Sequence, residues 1–384
     1  MSRIPSAEID DLLARTNCVR EAEKYVRLRG SGAKKIGPCP ICSSDTQSKS
    51  ATRFEVTPAK WVCAVCADGG NAIALVMKAS RIGFREAVER LGGTRAVDPE
   101  EAARLEAARK AKAEAAAREN AAYRERERER CYEIYTKMAL PRVYLLDAYF
   151  KHRDLLIPPY IPLRFIENFP FFHGKDERGD ARVIHRGPVM LAPVLDAAGK
   201  FSALHFTWLD LAQPKGKALI VDPDTGEILP AKKVRGSKAG GYIPINGAKA
   251  AGQRMIAGEG IETVCGFYTS MVRAGHSTEG YVFRAAVDLG NLAGRAIDTV
   301  PHPTAKTATG RPQRVPGDIP EMESPAMPVL DDTEELILLG DGDSDPFTTR
   351  LAMTRAARRH ARPGRTVRTP FAPPGEDFDS WRRA

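Results

Sequence analysis

Two C-x-x-C pairs separated by 20 residues constrain this chain more than any other feature: Cys39-Pro-Ile-Cys42 and Cys63-Ala-Val-Cys66. Each pair makes a tight knuckle that aims two thiolates at one tetrahedral ion, and C-x2-C-x20-C-x2-C is the spacing of a zinc site. Four thiolates leave no open position on the metal, so the zinc is expected to be structural. The chain has seven cysteines, an odd number, and in a reducing compartment two such pairs point to metal and not to disulfides. A thioredoxin-like redox pair needs one C-x-x-C in a βαβ setting, whereas here two equal pairs flank strand-like stretches at 54 to 56 and 61 to 62. Cys18, Cys131 and Cys265 are scattered and read as core or incidental thiols.

A chain of 384 residues suits two or three domains, and 43% hydrophobic with 28% charged residues is enough to bury a core. Four segments are expected. Residues 1–97 hold a helix over 6 to 30, stopped by Gly30 and Gly32, then the cysteine pairs and helices over 71 to 80 and 84 to 91. Residues 98–130, rich in Ala, Glu and Arg and ending in RERERER, read as a charged helical linker. Residues 131–250 read as a mixed α/β middle domain: a helical pattern over 132 to 146, then VMLAPVL and FSALHFTWLD joined by the turn DAAGK. Residues 251–384 alternate RMIA, ETVCGFYTSMVRAG, YVFRAAV, ELILL, TTRLAMTRAARRHARPG and TVRTPF, which predicts a parallel sheet with helices on its faces. Seven prolines between 298 and 332 mark a surface excursion. No apolar run nears the roughly 18 residues of a membrane helix, and the first residues, MSRIPSAEIDDLLARTN, carry acids where a signal peptide is apolar. A soluble, cytoplasmic protein without a membrane partner is expected. Fifty-eight Lys and Arg against 49 Asp and Glu leave +9, which suits a polyanionic partner.

The last segment carries three acidic motifs, each directly after an apolar strand: Gly258-Glu259-Gly260, Gly340-Asp341-Gly342-Asp343, and Gly375-Glu376-Asp377-Phe378-Asp379. Catalytic groups of open α/β sheets sit at such strand ends. Clustered carboxylates need a cation to stay ionised together, and hard oxygen ligands select Mg2+ or Mn2+, as in phosphoryl transfer. Each motif alone is commonly a turn; their order makes the case. Arg350, Arg355, Arg358, Arg359, Arg362, Arg365 and Arg368 follow in one short region suited to phosphates. Asp345 is either a further ligand or the cap of the following helix.

Over some 55 residues, CPICSSDTQSKSATRFEVTPAKWVCAVCADGGNAIALVMKASRIGFREAVERLGG resembles the amino-terminal zinc ribbon of DnaG-type primases, with Cys42 where many of these ribbons have His. That family's ribbon contacts single-stranded template. Trp61 would then stack a base and Lys34, Lys35, Lys49, Arg53 and Lys60 would meet phosphates. Residues 253 to 382 resemble the Toprim domain of primases, topoisomerases and some nucleases. The resemblance makes Glu259 the acid or base, Asp341 and Asp343 the metal pair, with Glu259 also a holder of the magnesium, and Asp377 with Asp379 the holders of a second metal; Glu262 stands near a further acidic position of the family. The region before it, GPVMLAPVLDAAGKFSALHFTWLD and VDPDTGEILPAKKVRGSKAGGYIPI, resembles that of phage, prophage and plasmid primases. By that resemblance Lys232, Lys233, Arg235 and Lys238 lie near nucleotide phosphates, with His205, Arg182 and Arg186 as weaker candidates.

The function these resemblances imply is that of a DNA primase, an α/β enzyme making short RNA primers on single-stranded DNA from ribonucleoside triphosphates, with structural Zn2+ and catalytic Mg2+ or Mn2+. No G-x-x-x-x-G-K-[ST] motif occurs, so any replicative helicase partner is expected to be a separate chain. A Toprim nuclease, or a non-catalytic zinc-ribbon accessory protein that binds DNA, are the alternatives.

Overall fold

The computed structural model of the chain describes residues 4, 6–30, 32–42, 54–93, 99–141 and 144–379. Lys49 and Arg53 lie outside them. The chain divides into two compact units, Met1–Glu114 and Ala115–Ala384. Among the described residues no helix is long and apolar enough to cross a membrane.

In the first unit, α1 (Ser6–Arg15) and α2 (Cys18–Glu23) replace the single helix expected over 6 to 30. The break falls at Asn17, whose side chain accepts from the amides of Val19 (3.0 Å) and Arg20 (3.4 Å) and so starts a new helix. Strands β1 (Lys35–Gly37), β2 (Phe54–Val56), β3 (Trp61–Cys63) and β4 (Asp68–Gly70) form an antiparallel sheet in sequence order. Helices α3 (Ala72–Ser80) and α4 (Phe84–Arg90) follow. Phe54 and Val56 pair with Cys63 and Trp61 across β2 and β3, which sends all four side chains inward against Cys18, Val19 and Leu75.

The charged segment forms one helix, α5 (Pro99–Glu133), as its Ala, Glu and Arg content favours. The helical pattern over 132 to 146 is interrupted by a π turn at Ile134–Met138 before α6 (Tyr144–His152) begins.

In the second unit, β5 (Arg164–Lys175), β6 (Ala181–Leu195) and β7 (Phe201–Trp208) run antiparallel, the last two joined by the expected turn, where Asp196 Oδ1 accepts from the amides of Ala198 and Lys200. After the small ribbon β8 (Ile220–Val221) and β9 (Ile228–Leu229), β10 (Lys232–Gly236) returns beside β7, giving the order β10-β7-β6-β5. The second sheet contains β11 (Ile243–Pro244), β12 (Arg254–Gly258), β13 (Tyr281–Ala285), β16 (Glu335–Leu339) and β17 (Thr366–Arg368) in the order β11-β13-β12-β16-β17. All but the edge strand β11 are parallel. Between β13 and β16 the proline-rich excursion forms an antiparallel ribbon, β14 (Thr299–Lys306) with β15 (Pro312–Pro316), which the absence of periodicity had not foretold.

Alternation along β12 explains how both faces are covered. Ile256 packs with α7 (Ile261–Arg273), α6 and the inner face of the antiparallel sheet; Met255 and Ala257 pack with α8 (Leu289–Ala293) and α9 (Pro346–His360). One core, containing Tyr149, Phe165, Met190, Phe283 and Phe378, runs through the middle and last segments.

Candidate active site

Parallel pairing sets Gly258 opposite Leu339 and, on the other side, Ala285, so three strands end level with one another. Their continuations bring Glu259, Asp288 and the Asp341–Asp343 turn to one edge. The loop after β17 closes on that turn: the Gly342 amide donates to Glu376 O and the Gly375 amide to Gly342 O, both at 2.8 Å. A Cβ on Gly342 would sit 2.2 Å from Pro373 O and 2.6 Å from Ala372 O, so only glycine lets the two loops touch. Gly342→Ala is expected to cost about 2 kcal/mol or more of stability, read from urea unfolding, and to lower activity with it.

The electrostatics of this edge are those of like charges brought close together, Glu259, Asp341 and Asp377 partly withdrawn from water and Asp343 exposed. Burial raises the Asp341 carboxyl to about 7, with help from the nearby Glu259, Asp377 and Asp343, while a 3.2 Å hydrogen bond from Thr263 Oγ1 works against the shift. Burial, against the opposing pull of Lys232, also raises Glu259, and Asp288 and Asp343 add to the rise. Asp341 Oδ1 is buried without a hydrogen-bond partner. A divalent cation answers that arrangement: it would supply the missing partner and permit the carboxylates to ionise together. Among the described residues only the four cysteines gather ligand atoms within 4.8 Å of one another. The carboxylates are more widely set, so an ion held there would take one or two of them and keep several of its waters, as Mg2+ does.

Asp377 belongs to this edge, but Asp379 does not. Asp379 is fully buried and ion-paired with Arg153, its charge already matched by the guanidinium. Of the acidic pair read from the motif, Asp377 alone faces the edge, and Asp379 serves the buried ion pair instead. Glu262 is likewise engaged elsewhere: burial opposes its ionisation, yet Lys217 (2.9 Å), Arg153 and the Tyr149 hydroxyl (2.6 Å) hold it well below the usual carboxylate range. Asp345 caps α9, accepting from Thr348 N at 2.7 Å and facing His302 at 3.1 Å.

The cationic candidates divide by strand alternation. Lys232 interacts electrostatically with Glu259, and Lys238 is paired with Asp288 at the acidic edge. Lys233 and Arg235 point the other way. Lys233 donates to Phe172 O and lies 4.2 Å over the Phe171 ring, and Arg235 grips Glu127 of α5 at 2.7 and 3.1 Å. His205 is buried, and burial drops it to about 4; Arg182 is paired with Asp224. The arginines of α9 fasten the excursion: Arg355 donates to Gly294 O and Gly317 O, Arg359 to Ser324 O and Glu321 O, and Arg358 pairs with Asp318 at 2.8 Å. Arg358, half exposed, thus already has a carboxylate partner in the excursion.

In the first unit the four thiols meet as the spacing demands. Cys39 Sγ lies 3.8 Å from Cys66 Sγ, and Cys42 Sγ 3.9 Å from Cys63 Sγ. A tetrahedral Zn2+ with bonds of about 2.3 Å places its sulfurs about 3.8 Å apart. Trp61, offered above as a base-stacking residue, is fully buried, with Nε1 donating to Asn71 O at 3.2 Å. Trp61→Ala is expected to cost about 3–5 kcal/mol and to lower the midpoint of the ribbon's thermal transition. Lys34 pairs with Glu55 at 2.7 Å; Lys60 is exposed.

These two sites, a four-cysteine ribbon and an acidic strand-end edge in an α/β unit, define the class: a zinc-ribbon protein with a candidate cation-dependent site. Residues 4–106 match the CHC2 zinc finger family of DnaG-type zinc ribbons. Residues 125–245 match a domain of unknown function, DUF7146. The ribbon is similar to DNA primases: 35% identical over 97 residues to that of Pseudomonas aeruginosa (25% of this chain, 14% of the relative) and 40% over 90 residues to that of Legionella pneumophila (23% and 15%). The match thus covers about a seventh of the relatives' length. Among solved structures, the Aquifex aeolicus primase with its zinc-binding and RNA polymerase domains aligns over 100% of this chain and 82% of its own, at 15% identity and a TM-score of 0.33. A DnaG primase catalytic domain bound to single-stranded DNA aligns over 68% and 78%, at 14% and 0.37.

Proposed function

We propose that the protein is a DNA primase that makes short RNA primers on single-stranded DNA, with its last segment acting as a Toprim-type nucleotidyltransferase. The observation that carries this reading is the acidic edge, where Asp341, half-buried and with its Oδ1 buried and lacking a hydrogen-bond partner, is raised to about 7 beside Glu259, Asp343 and Asp377. The DnaG-type ribbon supports the template as single-stranded DNA.

Bound at Asp341 and Asp343, Mg2+ or Mn2+ would neutralise charge on the triphosphate and the leaving group. Lys232 and Lys238 flank the edge and orient the phosphates. Glu259, whose raised affinity for protons suits a base, takes the proton of the primer 3′-hydroxyl as its oxygen bonds to the α-phosphate and pyrophosphate departs. The test incubates the full chain with single-stranded DNA, labelled ribonucleoside triphosphates and Mg2+ or Mn2+, beside an Asp341→Ala/Asp343→Ala double variant. Template-dependent short RNA that vanishes in the variant supports the primase. Loss of the DNA itself identifies a nuclease, and DNA binding with neither product identifies an accessory protein.

A further inference from the structure

A loop outside every sequence motif delivers a lysine to the acidic edge. After β7, Leu209 and Lys217 form an isolated bridge, and between them the Asp210 amide donates to Gly216 O (3.0 Å) while the Gly216 amide donates to Gln213 O (2.9 Å). Gly216 has φ +66°, and a Cβ there would lie 2.9 Å from the Tyr149 ring. Helix α6 holds the loop's carbonyls: His152 Nε2 lies 3.1 Å from Gln213 O, and Arg153, 2% exposed, donates to Lys215 O at 2.9 Å. The backbone is fixed by the interior of the fold.

Its two lysines have different fates. Lys217 is engaged by the buried carboxylate of Glu262 at 2.9 Å. The Lys215 side chain is 66% exposed, and its Nζ stands 3.7 Å from Asp343 Oδ2, beyond hydrogen-bond reach. A fixed backbone carrying an unanchored ammonium beside a cation-binding carboxylate is suited to a mobile polyanion. Were Asp343 to hold a divalent cation, its charge would be met by the ion and the Lys215 ammonium would be free to reach a phosphate.

We propose that Lys215 contacts the triphosphate of the incoming nucleotide, an assignment that rests on the nucleotidyl-transfer reading above. The test is calorimetric binding of inorganic tripolyphosphate and of ATP, each with Mg2+, to the full chain and to Lys215→Ala and Lys215→Arg, with steady-state primer synthesis in parallel. Lys215→Ala is expected to weaken both ligands about tenfold and to raise KM for nucleotide about tenfold with kcat within about twofold, and Lys215→Arg to restore binding. Unchanged tripolyphosphate affinity in Lys215→Ala, no tripolyphosphate binding by the native protein, or a fall in kcat at constant KM would overturn it. If the native protein makes no primer, the primase reading falls, and the tripolyphosphate measurement still decides the role of Lys215.

Discussion

Asp341→Asn is expected to lower primer synthesis at least about a hundredfold to a thousandfold and, at the same time, to make the metal-free protein more stable above pH 7. The sign follows from the carboxyl's position. An Asp of ordinary value 3.8 is raised to about 7 in the fold, first by burial and then by Glu259, Asp377 and Asp343. The folded state therefore binds this proton more tightly than the unfolded chain does. Below about pH 4 both states are protonated and the group costs nothing; the cost grows between about pH 4 and 7 and is complete above it. Asparagine keeps an acceptor for Thr263 Oγ1 and carries no charge, so it removes the cost, on the order of 3 kcal/mol at pH 8 and less at pH 5. Urea unfolding in the presence of chelator at the two pH values reads the difference. Added Mg2+ should stabilise the native protein and not the variant. A variant less stable than the native protein at pH 8 would show that the carboxylate is needed for structure and not held in strain for a cation.

What the sequence revealed of this site is what local patterns encode. Apolar strands ending in Gly-Glu-Gly and Gly-Asp-Gly-Asp place their carboxylates wherever the strands end, and a parallel sheet ends them together. The cysteine spacing likewise needs no knowledge of distant partners. Trp61 is not placed by its own strand, because WVC is apolar on both faces; the register, with Trp61 opposite Val56 and Val62 opposite the exposed Glu55, shows which side is the core. In β10, alternation alone would have separated Lys232 from Lys233 and Arg235, but four cations in seven residues look like one patch. The arginines of α9 look like a phosphate grip until the excursion, which has no periodicity to reveal it, is found packed against them. Asp379 and Asp377 are two residues apart in a turn, and only the buried Arg153, more than 200 positions earlier, separates their roles. Lys215, Lys217 and Tyr149 belong to no motif at all; the single local hint was the glycine of Pro-Lys-Gly-Lys.

Cys42→Ala is expected to unfold the ribbon. The first unit is built on strands of three residues and a few buried side chains, too little core to stand without its ion. Burial raises Cys39 to about 11, so the thiol does not ionise unaided at neutral pH, and zinc binding must displace protons to form the site. The free energy of that binding, on the order of 10 kcal/mol or more, is then free energy of folding. Cys42→Ala, or a strong chelator acting on the native protein, should take zinc from one ion per chain to none and expose Trp61, seen as a red shift of its emission in a Trp208→Phe/Trp381→Phe background, which leaves Trp61 the single tryptophan. Cys42→His is the decisive companion. Imidazole binds zinc at about 2.0–2.1 Å, so this variant should retain one zinc per chain, and the buried emission with it. If Cys42→Ala kept a buried Trp61 without zinc, the metal would be ornamental to the fold; if Cys42→His lost the metal, the knuckle would demand thiolate and the family's tolerance at this position would not extend to this chain.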